Sequence, residues 1–205
     1  MAQMSDTVFG ALILAAVMPF IFAAGYLIVH FQHWRHARAW KPLLPTVQGT
    51  VAPIVGGGAE SRLRGRYQGY DIMASMVPKL NSESFNEFSV AIVGIPGASD
   101  WTVTGSSRSL RDLWPGAARP LRVESSDEGL CARLEIEGVV AIAEGLGLTA
   151  DDPNPPVQYA GRSKSLTIQC TLGDTWVPSE PHFIELLDAL VRLVHINNRV
   201  NPPAA

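Results

Sequence analysis

The sequence predicts an α+β protein: one apolar transmembrane helix near the N-terminus, then a β-rich domain closed by an amphipathic C-terminal helix. Three observations carry that prediction. Residues 7–31, "TVFGALILAAVMPFIFAAGYLIVHF", hold no acidic side chain and no basic one beyond His30; about 20 such residues span a hydrocarbon layer of ~30 Å. From residue 46 onward, short runs rich in Val, Ile, Phe, Tyr and Thr alternate with Gly, Pro and polar clusters, the texture of strands and turns. Near the end, "SEPHFIELLDALVRLVHINNRVN" places Phe183, Leu186, Leu187, Leu190, Leu193 and Val194 on one helical stripe.

The apolar run is too long for a cleavable leader, and "MAQMSD" before it has no basic residue. Its C-terminal flank carries Arg35, Arg38 and Lys41, so the positive-inside rule predicts an external N-terminus (1–6) and a cytoplasmic C-terminal domain (46–205) at the inner membrane. Residues 32–45 then read as a boundary segment. Trp34 and Trp40 suit the headgroup level, with Arg35, Arg38 and Lys41 reaching lipid phosphates, and "KPLLP" is a stiff exit. Ala11, Ala15, Pro19 and Ala23 recur every four residues. They form either a small-residue strip for helix packing or the ordinary abundance of alanine in membrane helices, and Pro19 is expected to bend the helix. His30 and His33 share a helix face and are the candidate contacts to a pigment or haem held by partner subunits. No cofactor of its own is expected.

The remaining chain has about 160 residues, enough for one domain with its own core. Net charge is −3 over 205 residues. With the basic cluster near the start, the rest is mildly acidic, which argues against broad nucleic-acid binding. The two cysteines, Cys131 and Cys170, stand far apart, outside any metal or redox spacing, and are expected to be reduced core thiols. Strands are expected around "VQGTVAPIV", "ESRLRGRY", "GYDIMASMV", "FNEFSVAIVG" and "DWTVTGS", joined as antiparallel hairpins, with Gly56, Gly57 and Gly58 at the first turn. Two short helices follow, with Ser125, Ser126 and Asp127 as cap candidates and a break near 135–138. "DDPNPP" is a loop, and "VQYAGRSKSLTIQCTLG" is a hairpin with its tip at 161–164. Ser179 and Pro181 suit the start of the last helix.

On a strand, Arg62, Arg64 and Arg66 point to one face while Leu63 and Tyr67 point to the other. The arginine row is either a dock for anionic lipid or an acidic partner, or a solvated strand face. No metal, nucleophile or phosphate-loop motif appears, and the adjacent acid pairs at 127–128 and 151–152 have diverging side chains.

The layout of one span followed by a β-rich cytoplasmic domain resembles the H-type subunit of bacterial photosynthetic reaction centres, although "HWRHARAWKPLLP" departs from that family's charged segment. The resemblance is architectural and assigns no residue. It implies a non-catalytic, single-pass accessory subunit that stabilises a bioenergetic membrane complex, photosynthetic or respiratory, through integral membrane partners. The alternative from a different class is a tethered binding or regulatory module with soluble partners. A third is an anchored enzyme without a recognisable motif.

Overall fold

The structure is a computed structural model that describes residues 6–52, 61–77, 86–105, 120–149, 156–172 and 177–203. Helix α1 runs from Asp6 to Trp40, 35 residues, and contains Pro19 without a break in the helix. A 3₁₀ turn, Lys41–Leu43, follows it. The strands are β1 (Thr50–Ala52), β2 (Ser61–Tyr67), β3 (Tyr70–Val77), β4 (Asn86–Val93), β5 (Trp101–Gly105) and β6 (Leu121–Ser125), then β7 (Val157–Ala160) and β8 (Ser165–Leu172). Helices α2 (Glu128–Ile136) and α3 (Val139–Gly145) stand between β6 and β7, and α4 (Glu180–Val200) comes last.

All eight strands form one antiparallel sheet in the order β1-β2-β3-β4-β8-β7-β5-β6. The α+β class stands, and the hairpin reading holds for β1–β4 and for β7–β8; β5 leaves the meander and pairs with β6 and β7 instead of β4. The first four strands form a meander, and the β2–β3 turn places Gln68 and Gly69 at positive φ, as a two-residue hairpin turn of matching twist requires. The later hairpins β5–β6 and β7–β8 extend the sheet from β4 through β8.

One face of the sheet is covered by α2, α3 and α4. It presents Leu63, Ile72, Ala74, Met76, Phe88, Val90, Ile92, Trp101, Val103, Val157, Tyr159, Leu166 and Ile168, all buried. The other face presents Arg62, Arg64, Ser75, Ser89, Thr167 and Gln169, half-buried or exposed. The period-2 alternation of each strand therefore selects which side meets the helices.

Two sequence features set the helix ends. Asp127 caps α2 by accepting from the Leu130 amide at 3.0 Å, and Gly138, at φ +80°, separates α2 from α3. Ser179 does occupy the N-cap position of α4, but its hydroxyl makes no capping bond; its carbonyl accepts from Phe183 N at 2.8 Å. Strand β6 went unread in the sequence. Its Leu121 and Val123 alternate with Arg122 and Glu124, but five residues behind a proline give a short signal.

The membrane assignments need correction. Among the described residues no helix is long and apolar enough to cross a membrane. The transmembrane helix at 7–31, the inner-membrane location and the orientation built on them fall on that ground. The boundary segment is corrected too. Trp40 and Leu43 are buried in the core of the domain, where Trp40 faces Phe88 at 6.0 Å and Phe88 meets Phe183 edge-on at 6.1 Å. Trp40 is therefore no headgroup-level residue, and "KPLLP" is no free exit: the folded body begins at Trp40, not at residue 46. The Gly56–Gly58 turn and most of the 151–156 loop lie outside the described residues.

Candidate functional site

The last turns of α1 build one cleft. Phe31, Trp34 and Arg38 are spaced so that they share a helix face. The Phe31 and Trp34 rings lie 6.0 Å apart, and the Arg38 guanidinium sits 5.4 Å from the Trp34 ring centre, a cation held over an aromatic face. Below them the 3₁₀ turn brings Lys41 and Leu44 beside β1. The result is an open cleft of about 750 Å³ lined by Trp34, Ala37, Arg38, Lys41, Leu44, Gly49, Thr50 and Val51. Two cations and no carboxylate stand in that lining. The floor is tight: a Cβ on Gly49 would lie 2.5 Å from the Arg64 carbonyl oxygen, and one on Gly65 would collide with that of Val47. Only glycine lets these two backbones approach so closely.

A second cleft, about 460 Å³, lies between α3 and α4. Its floor is apolar (Ala141, Ile142, Leu146, Ala189) and its rim carries Glu185, Asp188 and Arg192. Tyr67 Oη donates to Asp188 Oδ1 at 2.8 Å, and Gln68 Nε2 donates to the same oxygen at 3.1 Å. Burial and the neighbouring Asp188 carboxylate push the Tyr67 hydroxyl above its ordinary value, against a smaller opposing effect of Gln68. Asp188 is thereby committed to holding the β2–β3 turn to α4.

A third polar group is buried at the end of α4. Trp101 Nε1 donates to Asn197 Oδ1 at 2.8 Å, and Asn197 Nδ2 donates to the Pro96 carbonyl at 3.0 Å. Asn201 Oδ1 accepts from Ala98 N and Ser99 N, and its Nδ2 donates to Ser99 O and Asn197 Oδ1. Tyr159 Oη closes the set on the Ile95 carbonyl at 3.1 Å. Its proton is held more tightly than usual by burial and by Asp100. These bonds satisfy one another and bind the loop 95–100 to α4, so the cluster is structural.

The residues singled out in the sequence are dispersed. Pro19 and Ala23 are exposed on α1, and the side chains of Ala11, Ala15, His30 and His33 lie outside those described. Trp34, Arg35, Arg38 and Lys41 are exposed at the foot of α1, whereas Trp40 points the other way. Arg62, Arg64 and Arg66 do share the uncovered face of the sheet, opposite Leu63, and Arg66 is paired with Asp71 at 3.2 Å. His182 bonds to Glu185, and His195 is exposed against Tyr70. Cys131 and Cys170 are not joined in a disulfide, and both are half-buried. Among the described residues no three His, Cys, Asp or Glu side chains gather as metal ligands. Sequence reasoning missed Asp188, Asn197 and Asn201. The "NNRVN" run at the end of an apolar helix was the available signal for the last two, since Asn197 falls on the buried face four residues before Asn201. Compared with known proteins, the chain matches no family model, no curated protein and no solved structure.

Proposed function

We propose that the chain is a non-catalytic accessory subunit of a larger protein assembly, joined to it by packing of α1 against helices of a partner protein. One observation carries this reading. Every residue from 16 to 27 is exposed, including Phe20 (77 %), Phe22 (70 %), Tyr26 (70 %) and Leu27 (65 %). At 100° per residue these side chains, with Ile21, are spread around the whole circumference. A helix apolar on every side is stable in water only when other apolar surface encloses it, and this chain's own core is already covered by α2, α3 and α4. More than one partner helix is therefore needed. The folded body beyond Trp40 then serves as the part that the arm holds in place.

The test is site-specific photo-crosslinking from position 22 in the native source. One discrete heteromeric adduct at near-stoichiometric yield, lost when Ile21 and Phe22 are both changed to Ser, is the expected result. Absence of any protein adduct, or label passing into lipid alone, would overturn the reading.

A further inference from the structure

The cleft at the root of α1 has a chemistry that the apolar arm does not explain. Strand β1 is the terminal strand of the sheet, and among the described residues nothing pairs with its outer edge. Among the described residues that edge therefore presents backbone donors and acceptors without a strand partner, a template for an added strand. Arg38 and Lys41 stand in the cleft beside it, while Trp34, Leu44 and Val51 supply apolar surface. Arg64 is the direct neighbour of Thr50 across β1–β2, so a third cation flanks the same edge on the uncovered face of the sheet. Among the described residues neither Arg38 nor Lys41 forms a salt bridge, and Arg38 is already oriented by Trp34.

We propose that this cleft receives an extended, acidic segment of a partner protein, which adds to the edge of β1 and sets its carboxylates on Arg38 and Lys41. An extended chain matches the site on three counts. Its backbone pairs with the edge, its apolar side chains meet Trp34, Leu44 and Val51, and its acidic residues find two cations with no competing carboxylate in the lining. A nucleic-acid backbone would satisfy the cations but leave the strand edge and the apolar wall unmatched. Since β1 has only three residues, backbone pairing is brief and the charges decide selectivity. The proposal is independent of what encloses residues 16–27.

The experiment uses the full-length chain in a mild non-ionic detergent and a fluorescein-labelled seven-residue peptide alternating Glu and Val. The matched Lys–Val peptide is the control. Anisotropy titration is expected to show saturable binding of the Glu–Val peptide only, weakened about tenfold in the double variant Arg38→Glu, Lys41→Glu. Both side chains are exposed, and an unchanged melting temperature confirms that the variant is folded. Hydrogen exchange is expected to slow at residues 50–52 when the peptide is bound. Equal binding of the Lys–Val peptide, indifference to the double variant, displacement by equimolar inorganic phosphate, or unchanged exchange at 50–52 would each overturn the proposal. None of these outcomes bears on the crosslink at position 22.

Discussion

Helices α1 and α4 use the same residue types to opposite ends. Both are long, and both are rich in Leu, Ile, Val and Phe. In α4 these residues recur on one stripe, and Phe183, Leu186, Leu187, Leu190, Leu193 and Val194 are completely buried against the sheet. The opposite face keeps Glu185, Arg192, His195 and Arg199 in water, and Arg199 pairs with Glu137 after α2. In the described part of α1 the apolar residues have no preferred side, and none from 16 to 27 is buried. Periodicity, not hydrophobicity, thus tells an internal contact from an external one. A stripe is complementary to one sheet; a full apolar cylinder asks for a surrounding that one sheet cannot give.

The boundary between these two regimes falls within two turns of α1, and two tryptophans mark it. Trp34 is about half exposed (52 %), whereas Trp40 is fully buried between the sheet and α4. The largest effect predicted for the folded body is therefore Trp40→Ala, which removes a core side chain and leaves a cavity beside Phe88, at a cost of about 3–5 kcal/mol. Trp34→Ala should cost less than about 0.5 kcal/mol. Urea denaturation monitored by circular dichroism measures both. Similar losses for the two variants would mean that the body does not begin at Trp40 and would break the comparison.

The end of α4 gives a second, smaller test of how the body is closed. Asn197→Ala strands the buried Trp101 indole N–H and frees the Pro96 carbonyl and Asn201 of one partner each. The expected loss is about 2–3 kcal/mol, because a buried donor without an acceptor keeps its full desolvation cost. Asn198, one residue on, is exposed, and Asn198→Ala should change stability by less than about 0.5 kcal/mol. Equal melting of the two variants would remove Asn197 from the closure.

Much of this body was legible before any coordinates. The strand runs, the α2–α3 break and the α4 stripe each follow from a local rule: period 2, a glycine at positive φ, period 3.6. The side assignment of Arg62, Leu63 and Arg64 was readable for the same reason. What escaped depends on contacts distant in sequence. Trp40 looks the same as Trp34 in a window of ten residues, and only the arrival of Phe88 and Phe183 makes it a core residue. The Asn197–Trp101 bond joins positions 96 apart, and Asp188 meets Tyr67 across 121. The apolar run suggested a bilayer because composition reports that a helix needs apolar cover without reporting what provides it.

The smallest predicted effect concerns the face of α4 where it meets the β2–β3 turn. Tyr67 is half-buried and donates to Asp188, and its ionised form would face that carboxylate, so the folded state holds the proton above the ordinary tyrosine value. The unfolded chain releases it near pH 10. Tyr67 therefore contributes stability that is complete below about pH 10 and is lost as pH rises through the raised folded value. Tyr159, raised in the same direction by burial and Asp100, adds to the alkaline decline. Tyr67→Phe should lower stability by about 0.5–1.5 kcal/mol at neutral pH, the net worth of one hydrogen bond. It should also make the decline above pH 10 shallower without abolishing it, since Tyr159 remains. Urea melts at half-unit steps from pH 8 to 11 would show both effects. A decline as steep in the variant as in the parent would mean that neither burial nor Asp188 holds the Tyr67 proton, and that Gln68 is the turn's polar tie to α4.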